Sequence, residues 1–193
     1  MTRVTERPSA GRYKRPRPRA EREYVAMLER AQQQQQQPIM LDAGDGRILH
    51  ALGMQIVVKV SREASGGSVG IVEMRMPPGE GPPMHIHRSE EEAIRVLEGR
   101  FRFWCGDRVW DGGEGATVLL PRGIPHTFQA IGDTPARLLG IVTPGGFEGF
   151  FVQCDARKLR LPDDAAALRA LAAELDFDIT GPKPTVPRYT WAC

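Results

Sequence analysis

Only three of the 193 residues are cysteine, Cys105, Cys154 and Cys193, and no two form a Cys-x-x-Cys pair. Neither a disulfide framework nor a thiolate zinc site is indicated. No apolar run is long enough to span a bilayer. The N-terminus lacks the apolar core of a secretory signal. A transit peptide is poorly matched, because Glu6, Glu21, Glu23 and Glu29 are present and serine is scarce there. A cytoplasmic protein is expected. Nor does either sign of charge dominate: 26 Lys/Arg stand against 24 Asp/Glu, a net charge of +2. The balance is uneven along the chain. Residues 1–38 hold nine basic and four acidic side chains, +5, and the remainder holds 17 and 20, −3. A basic tail can contact nucleic acid or anionic lipid. Its composition also suits a solvated extension, so no membrane or nucleic-acid partner is expected.

What is present suits one domain with tails: 41% hydrophobic and 26% charged residues in a chain long enough for a sizeable core. Residues 1–38 are expected to be a disordered basic tail ending in six glutamines and Pro38, with a short helix within 20–37. From Leu49 the pattern changes to short runs rich in β-branched and aromatic residues, such as "MQIVVKV" (54–60) and "SVGIVEMRM" (68–76), broken by Gly, Pro and Asp. Strands of this length and spacing predict an all-β barrel or sandwich over 39–160. "LPDDAAALRALAAEL" (161–175) predicts a helix, with Pro162 and two aspartates in its first turn and Leu168, Leu171 and Leu175 on one face. An extended tail completes 161–193.

Histidine is also scarce, at four residues, yet two stand one residue apart in "HIHRSEEEAIRVLEG" (85–99). On a strand, His85 and His87 share a face about 6.6 Å apart along the backbone. The chain then turns and re-enters a strand, and antiparallel pairing would return one glutamate beside them. The turn resets the alternation, so parity does not choose among Glu90, Glu91 and Glu92. "PRGIPHTFQA" (121–130) brings His126 to the start of another strand. Three imidazoles and a carboxylate suit zinc, iron, manganese, nickel or copper.

Two spaced motifs resemble the signatures of the cupin superfamily: Gly79-x5-His85-x-His87-x4-Glu92-x6-Gly99 and Gly115-x5-Pro121-x-Gly123-x2-His126. The resemblance implies a double-stranded β-helix, or jelly-roll barrel, in which His85, His87, Glu92 and His126 hold one divalent transition metal ion. It selects Glu92 as the carboxylate ligand and the catalytic candidate, and leaves Glu90 and Glu91 as turn residues facing solvent. Two departures stand out. Ala130 occupies a position where the second signature usually has Asn, and Arg95 one where many relatives have Tyr. Alternation from an inward Glu92 places Arg95 outside.

The surrounding text looks most like single-barrel cupins of the quercetin dioxygenase-like kind. That implies a metal-dependent dioxygenase acting on an enolic or aromatic, flavonol-like molecule. Alternatives are an isomerase or lyase on a sugar or keto acid, and a non-catalytic small-molecule binder. By alternation, Met74, Met76, Ile94, Val96, Phe128 and Phe147, with Phe150 and Phe151, are candidate pocket walls. Glu73 is either an acid/base group near the site or an outward surface residue. Sheet edges of small barrels often pair, so a homodimer is expected.

Overall fold

The computed structural model describes residues 18–21, 23–26 and 37–184. They fall in two units, Met1–Gln37 and Pro38–Cys193. In the first, residues 19–21 and 23–26 are helical, as the sequence suggests for this stretch. Arg19 Nε donates to Glu23 Oε1 at 2.8 Å, the i, i+4 spacing at which helix side chains meet. The disorder expected upstream, the glutamine run to Gln36 and the tail beyond 184 lie outside the described residues.

The second unit is built from two antiparallel sheets. One has the order β1 (Arg47–Ala51), β2 (Met54–Val60), β3 (Gly70–Met76), β10 (Ala136–Thr143), β5 (Glu91–Glu98), β8 (Thr117–Leu120). The other has the order β11 (Phe177–Gly181), β4 (Met84–His87), β9 (His126–Ile131), β6 (Arg100–Cys105), β7 (Arg108–Gly113). Alternation explains why these stretches form strands. In β2, Met54, Ile56 and Val58 are buried and Gln55 is exposed; in β5, Glu92, Ile94 and Val96 are buried and Arg95 is exposed. Each of these apolar side chains contributes about 1.5–3 kcal/mol by its burial, whereas burying the Glu92 carboxylate costs free energy. The β5–β6 turn needs Gly99 twice over: its φ is 75°, and a Cβ there would stand 2.8 Å from that of Ala136.

Three helices accompany the sheets. The expected turn "SREASGG" contains a single helical turn, α1 (Arg62–Ser65). Within 161–175 the helix is α3 (Ala165–Glu174). Pro162 and Asp163 precede it rather than forming its first turn, Leu168 and Leu171 are buried, and Leu175 is half-buried. Two elements escape the sequence reading. One is α2 (Glu148–Arg157), whose approach through Gly145 and Gly146, with Gly149 in its first turn, reads as loop. The other is β11, which follows α3 and pairs with β4. Among the described residues, no helix is long and apolar enough to cross a membrane.

Candidate metal centre

The two short strands β4 and β9 lie side by side, and His85 is the partner of His126 across them. The inward faces of β4 carry His85 and His87, two residues apart as strand alternation requires. Glu92 arrives from elsewhere. It sits on β5 in the other sheet, beside Leu120 and Val142, and reaches the histidines across the barrel interior. The expected antiparallel return of the glutamate beside the histidines is therefore replaced. Residues 88–90 form a corner that carries the chain from one sheet to the other.

One ligand atom from each of His85, His87, Glu92 and His126 lies within 4.8 Å of all the others. The ring centroids are 4.4 Å apart for His85 and His126, 5.2 Å for His85 and His87, and 5.4 Å for His87 and His126. His87 and His126 are fully buried, and Glu92 is 1% exposed. Each imidazole is tied at Nδ1. His85 Nδ1 lies 2.9 Å from the Pro83 carbonyl, His126 Nδ1 2.8 Å from that of Ile124, and His87 Nδ1 3.1 Å from Glu90 Oε2. Carbonyls and carboxylates accept only, so each Nδ1 carries the proton. In that neutral tautomer the lone pair is on Nε2.

That arrangement has no internal compensation. His87 Nε2, His126 Nε2 and Glu92 Oε2 are buried without a hydrogen bond, although His126 Nε2 stands 3.3 Å from Glu92 Oε2. Unpartnered buried polar atoms each cost about 1–3 kcal/mol. A divalent cation bonded at about 2.0–2.2 Å would satisfy all three at once. The donor set and its spacing fit such an ion. Burial, with His126 and His87 close by, pushes the His85 imidazole down to about 3. It is neutral at pH 7, as a ligand must be. Burial pushes the Glu92 carboxyl up, but in the metal-free site a proton on His126 Nε2, 3.3 Å away, and the positive charge of the imidazoles when protonated outweigh this. It is held below the usual carboxylate value and stays ionised.

Glu90 does not face solvent as its place in the acidic run suggests. It is 7% exposed, and its carboxylate turns back to His87. Glu91 is half-buried and outward, accepting from Arg122 Nε at 2.6 Å and from the Arg122 backbone N–H at 3.1 Å. Three adjacent glutamates thus do three jobs, and nothing in "EEE" distinguishes them. Arg95 is exposed and donates to Thr117 Oγ1 at 3.0 Å. Glu73 is also outward and accepts from Arg137 Nη1 at 3.0 Å, so it belongs to the surface.

A cavity of about 20 Å³ touches His85 and Glu92. Of the expected wall residues, Met74, Phe128 and Phe147 line it, with Phe150 and Phe151. Met76, Ile94 and Val96 do not; they are buried in the core instead. Met76 stands two residues beyond Met74, and Ile94 two beyond Glu92, a displacement of about 6.6 Å along a strand. Sharing a face is not sharing a pocket. Phe177 was not foreseen. It is the strand partner of His87, and its ring lies 5.1 Å from Phe147 and 4.8 Å from Phe150.

An antiparallel two-sheet barrel with three histidines on one sheet and a glutamate on the other defines a class, and comparison with known proteins agrees. Residues 72–142 match the family model of the cupin domain, and the chain's relatives support a place in the cupin superfamily. It is 35% identical over 74 residues to the quercetin 2,3-dioxygenase of Aspergillus japonicus, a match covering 35% of this chain and 20% of that enzyme. It is 26% identical over 112 residues to the polyketide synthase CurC of Streptomyces cyaneus, covering 58% of this chain and 71% of the relative. Among solved structures, KdgF from Halomonas sp. superposes with a TM-score of 0.53 at 12% identity, over 58% of this chain and 99% of that one. That likeness is one of fold. The chain spans only a fifth of the length of the Aspergillus enzyme.

Proposed function

We propose that the barrel is a metal-dependent enzyme of the dioxygenase type, acting on a small enolic or aromatic molecule. His85, His87, Glu92 and His126 would hold one divalent iron, manganese, nickel, copper or zinc ion. The observation that carries the reading is the convergence of three imidazoles and one carboxylate, all buried, beside an aromatic-walled space. A divalent ion there supplies Lewis acidity toward a substrate hydroxyl. The chain's own residues do the rest. The Pro83 and Ile124 carbonyls and the Glu90 carboxylate fix each imidazole by its Nδ1–H. Glu92 brings negative charge beside the bound cation. Phe147, Phe150 and Phe177 keep water out and offer ring faces to a flat ligand.

The experiment is metal analysis followed by oxygen uptake. Tag-free protein is reconstituted with each metal in turn and offered flavonols and simpler enolic aromatics. Oxygen consumption that disappears in Glu92→Ala and His126→Ala is the expected result. No uptake by protein shown to hold about one equivalent of metal would overturn it. A second reading is an isomerase or lyase on a sugar or keto acid, which would use the same ligand set without oxygen. A space of about 20 Å³ holds one water molecule, so either kind of substrate needs the phenylalanine rings to move aside. Turnover under argon would select this second reading.

A further inference from the structure

A second, far larger space adjoins the metal centre. This groove of about 1380 Å³ shares Leu52, Met54, Pro83 and Ile179 with the wall of the small cavity. Pro83 is the residue whose carbonyl fixes His85, so one residue layer separates the groove from the histidines. One side of the groove is a row across the outer face of three strands. His50 on β1 is partnered with Gln55 on β2, and Gln55 with Arg75 on β3. Side chains so paired stand about 4.5–5.5 Å apart at Cβ. The other side comes from the segment between α2 and α3 and from α3 itself, with Lys158, Arg160 and Arg169.

The charge of this groove runs against that of the rest of the barrel. Residues 39–193 carry three more acidic than basic side chains, yet the groove gathers Arg75, Lys158, Arg160, Arg169 and Lys183 against Asp155 and Glu80. Both acids are already engaged: Asp155 accepts from Lys158 Nζ at 2.9 Å, and Glu80 from Lys183 Nζ at 3.1 Å. Among the described residues, the guanidinium groups of Arg75, Arg160 and Arg169 have no carboxylate partner. Arg75 also stands directly across from Arg137 on β10, an unfavourable like-charge pairing. Glu73 and Glu98 neutralise Arg137, at 3.0 and 3.6 Å, and among the described residues no carboxylate neutralises Arg75.

We propose that this groove binds the oxyanionic group of the substrate, a carboxylate or a phosphate, through Arg75, Arg160 and Arg169. The other end of the same molecule reaches past Leu52 and Ile179 to the metal centre. The proposal rests on the metal-centre reading only for that other end. Planar guanidinium forks are suited to such an anion. The substrate class then narrows from enolic or aromatic compounds in general to acids among them.

Calorimetric titration of the full chain with benzoate, phenyl phosphate and the uncharged benzamide tests it. At least one anion should bind with an affinity that falls as salt is raised, and benzamide should not bind. The tighter of the two anions identifies the acid group. Arg75→Gln, Arg160→Gln and Arg169→Gln, all at exposed positions, should each weaken anion binding about tenfold, while Arg108→Gln in the other sheet should leave it unchanged. Equal binding of benzamide, or equal weakening by Arg108→Gln, would overturn the proposal. Metal content is measured on the same samples. Metal without anion binding removes the groove and leaves the centre; arginine-dependent anion binding without metal does the reverse.

Discussion

At the scale of single residues, the centre depends on who holds the far side of each imidazole. His85 and His126 give their Nδ1–H to neutral carbonyls, whereas His87 gives its own to the carboxylate of Glu90. A carboxylate behind an imidazole orients it and raises its basicity. Glu90→Ala is expected to weaken metal affinity about 10–100-fold, and Glu90→Gln, which keeps an acceptor oxygen, to restore part of it. Competition with a chromophoric chelator reads both. Glu91→Ala should leave affinity within about twofold, because its exposed pair with Arg122 faces away from the ligands and is worth at most about 1 kcal/mol. The depressed His85 gives a pH prediction for the metal-free protein. Its folded pKa of about 3 lies below the unfolded value near 6.5, so between them the unfolded chain binds the extra proton. Stability must therefore fall as pH drops through that window. From His85 alone the loss between pH 7 and 5 is about 2 kcal/mol. Urea midpoints of chelated protein at the two pH values should show it. A midpoint that does not move would contradict it.

At the scale of elements, the strands on either side of the centre were readable because each has one face in the core. Met54-x-Ile56-x-Val58 and Glu92-x-Ile94-x-Val96 announce themselves by period. The helix α2 and the strand β11 did not, for different reasons. The glycines leading into α2 mimic a loop, and only the packing of Phe150, Phe151 and Cys154 into the core makes the helix worth forming. Burial there also pushes the Cys154 thiol up to about 12, so it is an inert packing group. "FDITG" is too short to signal a strand by itself, and β4 supplies the edge it joins. Its first residue matters most. Phe177→Ala is expected to cost about 3–5 kcal/mol by cavity formation, and to admit water beside His87. Chemical denaturation measures the first effect, and faster metal release to a chelator the second.

At the scale of the whole molecule, metal and fold should be linked. The four candidate ligands come from both sheets, so an ion bound to the folded barrel would join the two sheets across the core. Binding to the native state alone stabilises by about 4 kcal/mol when free metal is 1,000 times Kd. Thermal melting with and without a chelator should therefore show a clear loss in Tm on metal removal. Identical curves for protein shown to hold metal would contradict the placement of the ligands. The outer strands β1 and β8 are edges of the larger sheet and expose Ile48 and Leu119, 52% and 61% respectively. Pairing of such edges is the physical basis for the expected homodimer, which light scattering would read directly.

The sequence by itself determined the barrel and most of its strands, through a period of two along each strand. It gathered three histidines near a run of glutamates, and the resemblance of two ordered motifs to the cupin signatures picked Glu92 from that run. Only the tertiary structure decided how those residues meet. Glu92 comes to the histidines from the opposite sheet, and Glu90 turns inward to one of them. Met76, Ile94 and Val96 fall outside the cavity, while Phe177, some ninety residues beyond His87, closes over it. The reason is that alternation fixes which face a side chain takes. It says nothing of which other strand that face will meet, and the corner at 88–90, the course of α2 and the docking of β11 settle that.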